Sequence, residues 1–332
     1  PKARNLQVLK GLAAAGKITK VVPSTTTRTL IDLFAGCGGL SLGFENAGFT
    51  PVFVNELDRD ALETYLTNRH YELGGLRFSE NTELHCRDVN DLDEKRLDKL
   101  ASDLAGIGEL NLSFDRSALE ANGGGSTLDV LAGGPPCQGF SGIGIRRSYS
   151  VDKKELPSNR LYVRMARIIR HLRPRIFLFE NVRGLLNSKW QRNGEDRIWP
   201  DVKAEFQAIP GYYVRWSLVY SKDYGIPQNR PRVLLVGIRN DVAEACDRLD
   251  IHSSTEDAIE SGFLPQRMPG KYPDLVDLLG DLIDDQIPKI LREQTFEPGP
   301  FETSRYPRRP TNEVQKKIRE CPDWKQDLTG ED

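Results

Sequence analysis

Few residues in this 332-residue sequence are of the types that build disulfide frameworks or metal sites. The five cysteines are scattered and never form a C-x-x-C pair, and the four histidines are equally dispersed. Such spacing argues against a disulfide framework and against a zinc site. We therefore expect reduced thiols and no bound metal.

Long apolar runs are also lacking. No stretch approaches the ~18 consecutive apolar residues of a membrane-spanning helix, and the N-terminal residues lack the apolar core of a secretory signal. We therefore expect a cytoplasmic protein that has no membrane partner.

An excess of basic charge is absent as well, because the formal net charge is −2 and the pI is near 6.2. Nucleic-acid binding therefore cannot be inferred from net charge. Arginines are nevertheless concentrated between residues 160 and 175. A solvated helix face and a surface that contacts phosphates explain this group equally well.

Short apolar runs alternate with helical patterns from Thr29 onward, which is typical of β-α-β units and a parallel sheet. These runs predict an α/β fold, a doubly wound sheet of about seven strands with ligands at the carboxyl ends of the strands. We divide the chain into an N-terminal arm (1–28), a main domain (29–240) and a C-terminal extension (241–332). Residues 91–127 are polar and predict a helical insertion followed by a loop.

A glycine-rich turn, DLFAGCGG (Asp32 to Gly39), ends the first predicted strand. Its glycines allow tight backbone geometry and close approach of a ligand. Glu56 follows about twenty residues later at the end of the second strand, where a carboxylate can accept hydrogen bonds from ribose hydroxyls. This pair fits a nicotinamide-dependent dehydrogenase as well as a methyltransferase. Asp88, just after the third strand, could bind the exocyclic amine of an adenine with Val89 beside it; a solvated turn is the alternative.

The segment GGPPCQGFS (Gly133 to Ser141) is the most specific motif. Two prolines stiffen the backbone before Cys137, and glycines on both sides leave its sulfur approachable. A thiol in this setting is presented to a ligand rather than packed in a core.

Two further motifs follow at the ends of later strands. ENV (Glu180 to Val182) ends the fifth strand and places a carboxyl group at the same sheet edge as the PPC turn. QNRPRV (Gln228 to Val233) leads into the last strand with Arg230 and Arg232 two residues apart, hence on one face of an extended chain. Two guanidinium groups on one face suit a carbonyl oxygen and a phosphate. A helix N-cap or a surface ion pair is the alternative for ENV, and a salt-bridged strand start is the alternative for QNRPRV.

These four motifs, in this order, resemble the signature motifs of the DNA (cytosine-5) methyltransferase family. The resemblance covers Leu30 to Arg239. It implies the class I methyltransferase version of the Rossmann-like sheet, S-adenosyl-L-methionine as the methyl donor, S-adenosyl-L-homocysteine as the product, and double-stranded DNA as the substrate. It also makes residues 29–240 the catalytic domain.

The resemblance assigns three groups of site residues. Those that would contact the donor are Phe34, Ala35, Gly36, Gly38, Gly39, Glu56, Leu57, Asp88, Val89, Pro135 and Leu161. Those that would act on the cytosine are Cys137, Glu180, Arg230 and Arg232. Those that would bind the rest of the substrate are Gln138, Ser141, Arg146, Arg147, Asn181 and Val182.

The chemistry of the resemblance explains these residue types. C5 of cytosine is too weak a nucleophile to accept a methyl group, so a thiolate must first attack C6. By the resemblance Cys137 attacks, Glu180 supplies a proton or hydrogen bond at N3, and Arg232 binds O2. The base must be flipped out of the duplex, and the loop of residues 142–159 could close over it.

After Arg239 we recognise neither a target-recognition region nor the last family motifs. We therefore expect either a truncated chain or one subunit of a split methyltransferase, whose second polypeptide carries the recognition region. A tRNA cytosine-5 methyltransferase and a non-catalytic DNA-binding or regulatory partner are the alternative functions.

Overall fold

The computed structural model shows a mixed α/β protein and describes residues 27–114, 126–136, 160–190, 194–226, 228–268, 279–280, 309–312 and 315–316. The chain divides into two units. The larger unit comprises residues 19–220 and 231–267, and it contains the sheet. The smaller comprises residues 1–18, 221–230 and 268–332; its described part includes a 3-10 turn over 221–224.

Seven strands form the central sheet of the larger unit. They are β1 (Arg28–Leu33), β2 (Phe49–Asn55), β5 (His85–Cys86), β6 (Val130–Gly133), β7 (Ile176–Val182), β8 (Tyr212–Tyr220) and β9 (Pro231–Arg239). A separate antiparallel pair consists of β3 (Glu72–Leu73) and β4 (Leu76–Arg77). The order in the sheet is β5-β2-β1-β6-β7-β9-β8. All neighbouring strands are parallel except that β9 runs antiparallel to both β7 and β8.

Six α-helices lie among the described residues: α1 (Gly39–Asn46), α2 (Arg59–Thr67), α3 (Glu94–Gly106), α4 (Leu161–Leu172), α5 (Ile198–Gln207) and α6 (Asn240–Glu244). Aspartate side chains cap the N-terminal ends of two of these helices. Asp58 accepts a hydrogen bond from Ala61 N (2.9 Å) ahead of α2, and Asp93 accepts one from Arg96 N (2.8 Å) ahead of α3. None of the described helices is long and apolar enough to cross a membrane.

Both faces of the sheet are covered. On one face, the strand residues Leu30, Val130 and Ala132 pack against Leu40 and Phe44 of α1. The other face belongs to the main core, which joins β1 to the buried sides of α3, α4 and α5. Buried residues on these three helices include Leu97, Leu100, Leu104, Met165, Ile169, Val202 and Phe206. Buried parallel strands with helices on both faces are the doubly wound arrangement that the sequence predicted.

The insertion predicted over residues 91–127 does contain a helix, α3, and its periodic leucines are buried. The helix is therefore part of the core rather than a polar addition to it. The loop predicted after it includes residues 115–125, which lie outside the described residues.

Candidate active site at the carboxyl edge of the sheet

The glycine-rich turn connects β1 to α1 and has an unusual backbone. Phe34, Gly36 and Gly38 have positive φ angles of 58°, 56° and 90°. Left-handed backbone favours glycine, so Phe34 is held there by its surroundings: its N–H donates to Asn55 Oδ1 (3.4 Å), and the next N–H, of Ala35, donates to Asn55 O (3.0 Å). A Cβ on Gly36 would meet nothing within 4 Å, so this side of the turn is open to a ligand.

Glu56, at the end of β2, is bound to the turn. Its Oε2 accepts a hydrogen bond from Gly36 N, and its Oε1 accepts one from Asp58 N, both at 2.8 Å. Leu57 beside it is 64% exposed. The structure thus brings together the glycine turn and the carboxylate that the sequence placed twenty residues apart.

Asp88, Pro135 and Leu161, which the sequence predicted to contact the donor, lie after other strands or at the start of a helix. Asp88 follows β5, and its Oδ1 accepts hydrogen bonds from both the backbone N and the Nδ2 of Asn90 (2.9 Å each). Val89 is buried, Pro135 follows β6 and is buried, and Leu161 begins α4 and is half-buried. Asp88 therefore caps a turn in this structure.

At the end of β7, Glu180 forms an ion pair with Arg232. Oε1 of Glu180 lies 2.5 Å from Arg232 Nε. The angles are not those of a hydrogen bond, because Nε is buried without a hydrogen-bond partner among the described residues. The contact is an ion pair by distance rather than a directed hydrogen bond. The Glu180 side chain is 29% exposed, so it is not enclosed by apolar residues.

Gly134 lies directly against Glu180. A Cβ on this glycine would be 2.9 Å from Glu180 Oε2, closer than a real Cβ contact allows. The first residue of the GPPC turn is therefore small enough for the carboxylate to rest on its backbone.

Asn181 connects ENV to the same turn. Its Nδ2 donates a hydrogen bond to Pro135 O (3.1 Å), and its Oδ1 accepts one from Val182 N (2.9 Å). Val182 pairs with Arg232 across the β7–β9 ladder. The antiparallel direction of β9 therefore brings Arg232 to the edge where β6 and β7 end.

Arg230 is exposed and precedes β9, in the smaller unit, so only Arg232 of the two arginines lies in the strand. Cys137, Gln138, Ser141, Arg146 and Arg147 lie outside the described residues.

The arginines between residues 160 and 175 are largely engaged with the protein itself. Arg167 pairs with Glu94 (3.1 Å), Arg170 with Glu205 (2.7 Å) and Arg175 with Asp129 (2.8 Å). These ion pairs favour the solvated, salt-bridged face over a phosphate-binding surface. Within the described residues, no group of three or more His, Cys, Asp or Glu side chains could bind a metal ion.

Sequence reasoning missed a buried polar cluster beneath the glycine turn. Asp32 and Ser41 share a 2.5 Å hydrogen bond, Tyr65 OH lies 2.7 Å from Ser41 Oγ, and all three side chains are buried. Burial raises the pKa of Asp32 to about 7, although its hydrogen bond with Ser41 opposes the shift. No motif connects these positions, because they come from a strand and two different helices.

The sheet order and its single antiparallel strand β9 define a class I methyltransferase fold. The model of the C-5 cytosine-specific DNA methylase family matches residues 28–321. The chain belongs to this family. The match continues well past Arg239, where the recognisable motifs end.

Similar proteins carry consistent names. The type II methyltransferase M.DdeI of Desulfomicrobium norvegicum is 34% identical over 212 residues, which are 64% of this chain and 41% of that protein. M.BsuRI of Bacillus subtilis is 28% identical over 289 residues, which are 87% of this chain and 56% of that protein. A solved prophage-encoded DNA modification methyltransferase of E. coli has a TM-score of 0.43 and 27% identity, covering 65% of this chain and 48% of that one. The chain spans about half the length of the curated relatives it matches.

Proposed function

We propose that this chain is the catalytic part of an enzyme that transfers a methyl group from S-adenosyl-L-methionine to C5 of a flipped cytosine in double-stranded DNA. The observation that carries the proposal is the group of Glu180, Arg232 and Gly134 at the same sheet edge as the glycine turn and Glu56. Restriction-modification is the biological setting that the names of the relatives suggest.

The residues at the donor site fit a nucleoside-containing ligand. Gly36 leaves open space above the turn. Each oxygen of Glu56 accepts one backbone N–H, and an ionised carboxylate has about four lone-pair sites, so capacity remains for ribose hydroxyls. Leu57 offers exposed apolar surface for a base.

We assign the donor contacts to the residues that the motifs name: Phe34, Ala35, Gly36, Gly38, Gly39, Glu56, Leu57, Asp88, Val89, Pro135 and Leu161. The donor, when bound, supplies an electrophilic methyl group.

The cytosine would be activated by three groups. The thiolate of Cys137 forms a bond to C6, and Glu180 in its protonated form donates a proton or hydrogen bond to N3, where the displaced electron density collects. Arg232 binds O2, where negative charge also develops. After C5 has gained the methyl group, loss of the C5 proton and β-elimination break the bond between C6 and the Cys137 sulfur.

The ion pair supports this assignment because it orients both partners before a base enters. A paired carboxylate and guanidinium restrict each other's rotamers. The backbone of Gly134 lies against the Glu180 carboxylate and limits its position further. The Asn181 hydrogen bond to Pro135 holds the backbone that precedes Cys137. Beyond this group, Gln138, Ser141, Arg146, Arg147, Asn181 and Val182 are assigned to the substrate and Arg230 to a phosphate.

The decisive experiment replaces the nucleophile. Cys137→Ser should abolish methyl transfer while S-adenosylhomocysteine still binds, because a hydroxyl is a far poorer nucleophile at neutral pH. Duplex DNA containing 5-fluorocytosine should form a covalent adduct with the wild type only. Cys246→Ser, a change at a half-buried cysteine outside the site, is the matched control. Turnover by Cys137→Ser close to that of the control would contradict the assignment.

The same assay separates the substrates. We expect labelled methyl groups in duplex DNA and not in tRNA; preferential labelling of tRNA would favour the RNA-modifying alternative. A folded wild type that binds the donor but labels neither would favour a non-catalytic partner.

A second polypeptide remains a prediction. It was expected because no target-recognition motif is recognisable after Arg239, yet the family match extends to residue 321 and the relatives give no support for a split enzyme. If a second chain is required, the purified protein will methylate mixed-sequence DNA at a small fraction of the rate seen with its partner. Efficient, site-specific methylation by the chain alone would refute it.

A further inference from the structure

Three buried side chains beneath the glycine turn form a linear chain of hydrogen bonds. Ser41 Oγ donates to Asp32 Oδ2 at 2.5 Å and lies 2.7 Å from Tyr65 OH. Asp32 is 1% exposed, and Ser41 and Tyr65 are fully buried. Because Ser41 uses its only proton toward Asp32, Tyr65 must be the donor to Ser41. The chain therefore has a single direction, from Tyr65 through Ser41 to Asp32.

Arg69 joins this chain to the turn itself. Its guanidinium lies 3.5 Å from the centre of the Tyr65 ring, and it donates to Glu45 at 2.8 and 3.0 Å. Its NH1 donates to Tyr65 O (2.9 Å), and its NH2 reaches Gly38 O at 3.5 Å. The side chain is only 5% exposed, so a low-dielectric setting strengthens these contacts.

Gly38 rests directly on this assembly. A Cβ there would be 2.7 Å from Tyr65 Cδ2 and 2.9 Å from the Arg69 guanidinium. The turn therefore contacts the protein closely at Gly38, whereas a Cβ on Gly36 would meet nothing within 4 Å.

The assembly fixes three elements against one another. Asp32 lies on β1, and Ser41 and Glu45 share a face of α1 at i and i+4. Tyr65 lies on α2, and Arg69 follows two residues after that helix ends. Residues 34–38 lie between the first two of these elements. Their backbone can shift only if these hydrogen bonds lengthen.

We propose that Ser41, Tyr65 and Arg69 are positioning residues for the methyl donor, which hold residues 34–38 in the conformation that binds it without touching it themselves. The inference rests on the proposed function, because it takes the glycine turn to be the donor site. It adds a layer of residues that none of the sequence motifs contains.

The test measures donor binding and catalysis in the full-length protein. Ser41→Ala breaks the chain at its centre, Tyr65→Phe removes one hydroxyl and keeps the ring under Gly38, and Arg69→Met removes the contact with Gly38 O. S-adenosylhomocysteine affinity is measured by calorimetry, and KM and kcat are measured with donor and DNA varied separately.

We expect Ser41→Ala and Arg69→Met to weaken binding about tenfold and Tyr65→Phe about threefold, the range that the loss of one buried hydrogen bond gives. KM for the donor should rise by the same factors, while kcat at saturating donor and KM for DNA stay within about twofold. The double variant Ser41→Ala, Tyr65→Phe should resemble Ser41→Ala alone, because both changes break one chain.

Ser217→Ala is the matched control. It also breaks a Ser–Asp hydrogen bond, the partly buried one from Ser217 Oγ to Asp257 Oδ1 at 2.9 Å, but on β8. It should lower the unfolding temperature comparably and leave donor affinity unchanged. Equal loss of affinity in this control would overturn the inference, as would wild-type affinity in all three variants. A wild type that binds no donor would overturn the proposed function, and this inference with it. Tyr65→Phe, the mildest change, decides the question if the other variants do not fold.

Discussion

Gly134 is the residue on which the geometry of Glu180 depends most directly. The carboxylate is confined between the backbone of Gly134 and the guanidinium of Arg232. A misplacement of about 1 Å in a reacting group can reduce a rate by about a hundredfold. The role of Glu180 can therefore be tested through its neighbour as well as by direct replacement.

Gly134→Ala should lower turnover by about 10- to 100-fold, because the new methyl group would displace Glu180 Oε2. Donor affinity should stay within about twofold, and Glu180→Gln should give the same pattern. Gly43→Ala is the control, because Gly43 is an exposed position of α1 where a Cβ would meet nothing within 4 Å. Replacement of a glycine within a helix by alanine stabilises the folded protein by about 0.5–1 kcal/mol. Unchanged turnover in Gly134→Ala would show that Glu180 does not need its present position.

At the residue scale, the sequence predicted the groups that lie within recognisable motifs. Glu56 and Glu180 end strands, where a carboxylate has few structural reasons to be. Ser41, Tyr65 and Arg69 were not predicted, because Ser41 and Tyr65 are 24 positions apart and sit on ordinary amphipathic helices. Their contacts depend on how α1 and α2 pack, and no local pattern encodes that.

At the scale of elements, β9 shows how closely the sheet and its helices are fitted. Gly237 pairs with Phe177 of β7 and Val214 of β8. A Cβ on Gly237 would overlap the Phe177 ring, which packs against Phe206 of α5 and Tyr212 of β8. The glycine is required by packing and not by backbone conformation.

Gly237→Ala should therefore lower the free energy of unfolding by about 1–3 kcal/mol, the usual cost of overpacking a core. Urea denaturation measures it, and an unchanged m-value would show that the unfolded state is not the cause. Gly106→Ala, at the open end of α3, should cause no loss. If both variants are equally stable, the Phe177 ring can move aside freely.

The sequence predicted the long elements better than the short ones. The strands of the sheet were expected near their observed positions, because each is a continuous apolar run between turn signals. The β3–β4 pair was missed, since two-residue strands leave no periodic signal. The β-α-β pattern predicted a parallel sheet, whereas the order of the strands and the antiparallel direction of β9 became visible only in the structure.

At the scale of the whole molecule, stability should depend on pH through Asp32. Burial raises its pKa in the folded protein to about 7 from 3.8. The folded state therefore holds this proton more tightly than the unfolded state does. The stabilisation is fully present below about pH 4 and is lost as pH rises toward 7.

Asp32→Asn should remove this dependence, because an amide stays neutral and its oxygen can still accept from Ser41. Relative to the wild type, the variant should gain roughly 3 kcal/mol in unfolding free energy between pH 4 and pH 7, and any effect of its new N–H groups adds only a constant offset. Urea denaturation of both proteins at several pH values gives the difference. If the unfolding free energies of the two proteins changed with pH in parallel, Asp32 would not titrate in this range.

The two halves of the site differ in how much chain lies between their contacts. The contacts around the glycine turn join residues that are at most 31 positions apart in the sequence; they involve Asp32, Ser41, Glu45, Glu56 and Arg69. Asn181 reaches Pro135 across 46 positions, and Arg232 meets Glu180 from a strand still further along the chain. Closing longer loops costs more entropy, and contacts between distant segments form later in folding. During synthesis, all of these groups on the proposed donor side have therefore been made once residue 69 is added, whereas the proposed cytosine side can assemble only after β9 has left the ribosome.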